Sequence, residues 1–229
     1  MPVPERIPFA AILAGGRARR MGRDKAGIRL AGVPLIERVL DRVREVAEEV
    51  LVVGGPPRLN HRGVPTLPDL FPGANAMGGI ATALVHAVRR KGPGTWVLCV
   101  PCDTPFLEPA LLRELFKRRK GVDVVVPRTS RGWEPLCALY RSTCLDALRR
   151  AITAENFRVF AVYTAVRCRA VPEEDLRRVD PGLRSFININ RPEDLTGAER
   201  QLQYPKPPAS SPERDALCAA NPKRLSSRR

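Results

Sequence analysis

Short apolar runs separated by helix-length amphipathic stretches constrain this chain more than any single residue does. Ile7 to Leu13, Val50 to Val53, Val64 to Leu67, Thr95 to Val100 and Val122 to Val126 read as strands, most of them continuous enough to be buried on both faces. Between the first two, Leu35, Ile36, Val39, Leu40, Val43, Val46 and Ala47 recur at three-and-four spacing behind Pro34, which suits the first turn of a helix. Ile80 to Val88 and Pro109 to Lys117 read as further helices, and the glycine-rich text from Phe71 to Gly79 as an irregular loop. Strands alternating with helices in this rhythm predict an α/β fold with a mostly parallel sheet and right-handed crossovers.

After Trp133 the rhythm changes. Leu136 to Tyr140 and Val166 to Val171 read as strands around a helix from Cys144 to Ala151. Phe186 to Asn190 alternates with a period of two, which predicts a strand carrying Asn188 and Asn190 on one face. A last helix starts at Pro192. From about Tyr204 the text turns to proline, serine, lysine and arginine without an apolar period, the composition of a disordered basic tail. The division expected is therefore one domain over 1–203 and a tail over 204–229.

The chain of 229 residues has room for one substantial core. Its formal net charge of +15 fits an anionic partner, or simply an arginine-rich protein. Aromatic residues are scarce, which argues against stacking on single-stranded nucleic acid. No run is long enough to span a bilayer, and the apolar N-terminal stretch is too short for a secretion signal, so a cytoplasmic protein away from membranes is expected. Six cysteines in a chain of this size do not make a disulfide framework.

The first strand ends in Gly15-Gly16 and runs into a loop crowded with Arg17, Arg19, Arg20, Arg23 and Lys25. Glycines let backbone approach a ligand closely, and cations at the carboxyl end of a first strand sit where open α/β sheets bind anions. A tight turn with solvated arginines is the plainer alternative. Neither G-x-G-x-x-G nor a G-K-[ST] ending is present, so two common phosphate loops are excluded. Asp103, in Pro101-Cys102-Asp103-Thr104-Pro105, follows a buried strand and would project at the same edge. Magnesium needs one or two carboxylates plus substrate phosphates, so a single placed aspartate suffices; a turn cap is the other reading. Cys99 and Cys102 spell C-x-x-C, but Cys99 lies within the strand rather than at a helix start, against a redox pair. His61 and His86 stand alone, which argues against zinc and against histidine-dependent hydrolysis.

Taken in order, Leu13-Ala14-Gly15-Gly16, Arg20-Met21-Gly22, Asp24-Lys25-Ala26, Met77-Gly78-Gly79-Ile80, the Asp103 segment, Trp133 to Tyr140 and Asn188 to Leu195 resemble the molybdenum cofactor guanylyltransferases. The resemblance covers roughly Ile7 to Leu195. It implies a three-layer, Rossmann-like nucleotidyltransferase fold and transfer of GMP from GTP to the terminal phosphate of molybdopterin bearing molybdenum. It implies that Leu13, Ala14, Gly15 and Gly16 line the nucleotide, that Lys25 and Arg20 meet the triphosphate, and that Asp69 helps hold the nucleotide. Asp103 would ligate Mg2+, and Asn188 and Asn190 would face the pterin. The product would pass to proteins that insert it into molybdenum enzymes. Cytidylyl-transferring relatives read Leu-Ala-Ala-Gly in the first loop, so Gly15 speaks for GTP.

There are three departures from that pattern: Gly54 for a frequent asparagine, Asn75-Ala76 for Gly-Pro, and Arg191 for threonine. Other readings consistent with the residues are a same-fold nucleotidyltransferase using a cobinamide, sugar or polyol phosphate, and a non-catalytic basic binding protein. The tail carries Lys206, Arg214, Lys223, Arg224, Arg228 and Arg229 against Glu213 and Asp215, and no proposed site residue. Truncation after Tyr204 is expected to leave melting temperature and turnover unchanged while weakening only salt-sensitive binding to anionic partners. A large fall in either quantity would place part of the tail on the domain.

Overall fold

Ile7–Leu13 is buried at every position except Pro8, and its side chains alternate between two cores. Ile7, Ala10 and Ile12 enter one core, while Phe9, Ala11 and Leu13 enter the other. A strand covered on both faces belongs at the centre of a layered α/β domain. The computed structural model describes residues 5–15, 28–55 and 62–203, and the elements below lie within them.

The chain runs β1 (Ile7–Leu13), a small hairpin of β2 (Arg29–Leu30) and β3 (Val33–Pro34), α1 (Leu35–Arg44), β4 (Ala47–Val53) and β5 (Thr66–Leu67). It continues through α2 (Asn75–Lys91), β6 (Trp96–Pro101), α3 (Pro109–Lys117), β7 (Val124–Thr129), β8 (Gly132–Trp133) and β9 (Ala138–Arg141). Last come α4 (Leu145–Thr153), β10 (Cys168–Pro172), α5 (Glu173–Arg177) and α6 (Pro192–Gln203). The main sheet has the order β10-β7-β9-β6-β1-β4-β5, with β8 paired to β7. β1 runs parallel to β4 and β6, and β4 to β5, whereas β9 is antiparallel to both its neighbours. The result is the mostly parallel, three-layer sheet that the alternation of elements predicts.

Helices cover the two faces according to their apolar stripes. Ile36, Val39, Leu40 and Val43 of α1 share a core with Leu111, Leu112, Leu115 and Phe116 of α3. Met77, Ile80, Leu84 and Ala87 of α2 share the other with Leu148 of α4 and Tyr140 of β9. Each fully buried side chain of this size contributes ~1.5–3 kcal/mol through removal from water. A smaller third core joins Leu30, Leu35, Phe106, Ile189 and Ala198, and so docks the hairpin and α6 beside the end of β6.

The structure corrects several sequence expectations. The helix of Leu35 stops at Arg44, because Val46 turns the chain and Ala47 already pairs with Ile7. The text from Asn75 to Gly79 is helical rather than irregular, since α2 begins at Asn75. Phe186 to Asn190 does not join the sheet: a 3-10 turn over Arg184–Phe186 leads into an extended crossing whose Ile189 N–H donates to the Asp103 carbonyl, 2.9 Å away. The two-residue alternation nevertheless holds, with Ile189 buried between exposed Asn188 and Asn190. The proposed tail beyond Tyr204 lies outside the described residues.

At the amino edge of β7, Asp123 holds three segments together. It accepts hydrogen bonds from Arg167 Nε at 2.8 Å and Nη2 at 3.0 Å, and from Thr143 Oγ1 at 2.9 Å. The Arg167 guanidinium holds the Asp123 carboxyl down to about 2. A carboxyl depressed in the folded state stabilises above its unfolded value of about 4, and that contribution is lost as pH falls through about 2. Asp123→Asn is therefore expected to melt below the wild type at neutral pH, with the gap narrowing from pH ~4 downward and closing near pH ~2. A gap independent of pH in thermal melts would assign the effect to packing instead.

Candidate functional site

The hydrogen-bond ladder carries past the strand ends and brings several loops to one edge. Ala14 N–H donates to Val53 O at 2.9 Å, Gly54 N–H to Leu67 O at 2.9 Å, and Cys102 N–H to Leu13 O at 3.2 Å. Gly54 adopts φ +76° and lies so close to Gly15 that a Cβ on it would sit 2.7 Å from the Gly15 N and Cα atoms. Gly15 itself is under no such demand: a Cβ there would meet Gly54 Cα at an ordinary 3.7 Å. Neither its backbone nor its neighbours among the described residues require a glycine at 15.

Asp103 sits one turn beyond β6 and is only 8% exposed. Its turn is held by Thr104 Oγ1 donating to Pro101 O at 3.1 Å and by the crossing Ile189 N–H. Asp103, Asn188, Asn190 and Glu134 line one cleft of about 310 Å³, whose apolar wall includes Pro135, Leu136 and Phe186. The far wall is pinned from below. Buried Asp180 accepts the Arg184 and Ser185 N–H groups at 2.9 Å each, and Ser185 Oγ accepts Glu108 N–H at 3.0 Å. Tyr140 donates its hydroxyl to Pro135 O at 2.7 Å and so ties the opposite wall to the sheet.

Of the residues proposed from sequence, Asp103, Asn188 and Asn190 come together in this cleft, with Leu13, Ala14 and Gly15 ending the neighbouring strand. Asp69 lies further along the edge, past β5. Its Oδ1 accepts Phe71 N–H at 2.9 Å and Thr82 Oγ1 at 3.1 Å, and so docks the start of α2. Gly16, Arg20 and Lys25 lie outside the described residues. Glu134 was not singled out by sequence reasoning, although a lone acid beside Pro135-Leu136 in an apolar run was a readable signal. It accepts Thr129 Oγ1 at 3.2 Å on Oε1, and burial pushes its carboxyl up.

The remaining candidates behave as packing residues. Cys99 is fully buried within β6, and burial pushes its thiol well above the usual range, which leaves it protonated and inert. His86 meets the Phe9 ring edge-on at 5.9 Å, and burial beside Arg90 pushes its pKa down.

Comparison with known proteins decides the family. Residues 10–167 match the MobA-like NTP transferase domain. A molybdenum cofactor guanylyltransferase of Desulfosudis oleivorans is 36% identical over 84% of this chain and 94% of its own length. One from Rhizobium meliloti is 34% identical over 86% and 93%. The crystal structure of molybdopterin-guanine dinucleotide biosynthesis protein A from Archaeoglobus fulgidus superposes with a TM-score of 0.73 at 30% identity, covering 85% of this chain and 98% of that one. This chain belongs to the molybdenum cofactor guanylyltransferases.

Within that family, its departures from pattern have local reasons. Gly54 is imposed by the Gly15 contact and by its positive φ. Asn75 stands at φ 52°, a left-handed conformation that asparagine tolerates and glycine would also supply. Arg191 cannot accept a capping bond as threonine does, but Asp194 Oδ2 accepts both the Asn190 and Arg191 N–H groups at 2.8 Å and keeps the other half of a capping box. Gly78 and Gly79 let α2 press against the site: a Cβ on Gly78 would lie 2.6 Å from Phe71 O, and one on Gly79 3.2 Å from Leu13 Cδ2.

Gly54→Ala is expected to destabilise the protein by roughly 2 kcal/mol or more through strain at positive φ and collision with Gly15. Urea denaturation checks this, and a loss of only a few tenths of a kcal/mol would mean the edge relaxes freely.

Proposed function

We propose that this protein transfers GMP from GTP to the terminal phosphate of molybdopterin carrying molybdenum, releasing pyrophosphate. The observation that carries this reading is the cleft that Asp103 lines together with Asn188 and Asn190, one strand away from Gly15. The bond formed joins an acceptor phosphate oxygen to the α-phosphorus of GTP. The bond broken joins that phosphorus to the oxygen bridging to the β-phosphate, and pyrophosphate leaves with the electron pair. No covalent intermediate on the protein is needed, so positioning and charge neutralisation supply the catalysis.

The residues have separable roles in this proposal. Leu13, Ala14 and Gly15 present backbone to the nucleotide, and the room left by Gly15 admits the purine edge of GTP. Asp69 serves the nucleotide side by anchoring the start of α2. Arg20 and Lys25 neutralise the triphosphate, in keeping with the cationic loop that follows Gly15. Asn188 and Asn190 orient the acceptor with their carboxamides, held apart by the buried anchor Ile189.

A carboxylate with carboxamide oxygens nearby is a hard donor set that fits Mg2+, which commonly shares its coordination with substrate phosphates. Asp103 would be its protein ligand. The ion supplies neutralisation of charge developing on the phosphoryl oxygens. The product would be passed to proteins that install it in molybdenum enzymes. A cytoplasmic setting is in keeping with the sequence, and among the described residues no helix is long and apolar enough to cross a membrane.

Pyrophosphate release measured with molybdopterin, magnesium and each of four nucleoside triphosphates tests the proposal. GTP is expected to be consumed well above the others, and equal turnover with CTP or ATP would overturn the specificity. Asp103→Asn should retain its melting temperature within a few degrees and lose about 100-fold or more in kcat. A variant that turns over near the wild-type rate would remove Asp103 from the catalytic role.

A further inference from the structure

The cleft that holds Asp103 contains a second acidic side chain, Glu134, for which the transfer reaction has no use. Both substrates are polyanions, so a carboxylate in their cleft repels phosphate unless it faces another part of the ligand. Glu134 is well placed to do that. It sits between Trp133 and Pro135, its backbone N–H donates to Pro127 O at 3.0 Å, and its carbonyl accepts Cys137 N–H at 3.1 Å, so its position is fixed from both sides. Its side chain has one hydrogen bond among the described residues, Thr129 Oγ1 to Oε1 at 3.2 Å. Pro135, Leu136 and Phe186 line the same cleft and form an apolar wall suited to a flat ring.

We infer that Glu134 is a specificity residue that binds the aminopyrimidinone edge of the acceptor's pterin ring, accepting hydrogen bonds from the ring N3–H and the exocyclic 2-amino group. Such an edge presents two donors side by side, the arrangement that a carboxylate accepts from guanidinium groups. Repulsion between Glu134 and phosphate then sets the polarity of the acceptor: ring towards Glu134, phosphate towards Asp103. Burial pushes the Glu134 carboxyl up, against the opposing pull of the Thr129 hydrogen bond and the nearby Arg131 charge, and two ring donors would favour its ionised form further. The inference rests on the guanylyltransferase reading for the identity of the acceptor.

The test uses binding rather than turnover. Titration of the full-length protein with 6-hydroxymethylpterin, followed by pterin fluorescence, is expected to give an affinity about tenfold or more weaker in Glu134→Gln than in the wild type. The substitution keeps an acceptor for Thr129, so melting temperature and GTP affinity should not move. The 2-dimethylamino analogue, which keeps N3–H but lacks the exocyclic donors, should show a smaller difference between the two proteins. Should Glu134→Gln fail to fold, Glu134→Asp withdraws the charge by one methylene and is expected to show the same loss. Equal pterin affinity in the wild type and the folded variant, or no binding of the pterin to the wild type, would overturn the inference. Neither result depends on GTP consumption, so failure of the guanylyl transfer itself is read separately from the nucleotide panel.

Discussion

The arrangement depends on burying β1 on both faces. A strand whose alternate residues enter two separate cores has no free face along its length on which to display polar chemistry. Polar residues are excluded from β1 and appear where its ladder runs out. Parallel pairing to β4 and β6 makes those exits coincide, so Gly15, Gly54 and Asp103 emerge at one edge although 88 residues separate Gly15 from Asp103. The chemistry is therefore concentrated by strand direction, and the cores on either side hold the edge rigid.

Glycine contacts then determine how closely the loops approach that edge. Gly54 packs backbone on backbone against Gly15, while Gly78 and Gly79 bring the first turn of α2 against Asp69, Phe71 and Leu13. Asp69 completes this joint, because its carboxylate ties the chain after β5 to Thr82 one turn further along the helix. The far wall of the cleft is built differently, from carboxylate-to-backbone bonds at Asp180 and a serine bridge to the start of α3. One wall is set by the absence of side chains and the other by buried polar bonds, each a rigid way of holding a loop.

Charge has a similar division of labour. The excess of cations is spread over a chain of net charge +15. Each acid at the described edge has a restricted position: Asp69 in a helix joint, Asp103 in a stiffened turn, and Glu134 between two backbone hydrogen bonds. An anionic substrate meeting a basic surface would be drawn in at long range, but which end enters the cleft depends on where the few carboxylates lie.

Much of the fold was legible in the sequence. The apolar runs and the helical stripe of α1 define elements by local period, and burial on two faces follows from the lack of polar alternation in Ile7–Leu13. Asp103 was legible because it follows such a strand, and Asn188 and Asn190 because they alternate with Ile189. Other features depend on distant segments. The helix that starts at Asn75 brings Gly78 and Gly79 so close to Phe71, Asp69 and Leu13 that a Cβ would collide or crowd there, a fit between segments that no local propensity contains. The crossing at Ile189 looked like a strand because its alternation is real, yet its backbone bonds to the Asp103 turn rather than to a sheet neighbour. The sequence by itself determined the layered α/β class, because it follows from periodicity, and it pointed to Asp103, Asn188 and Asn190, which the structure brings into one cleft. Only the tertiary structure decided that Gly54 must lack a side chain and that Glu134 shares a cleft with Asp103, because both are matters of distance between segments far apart in the chain.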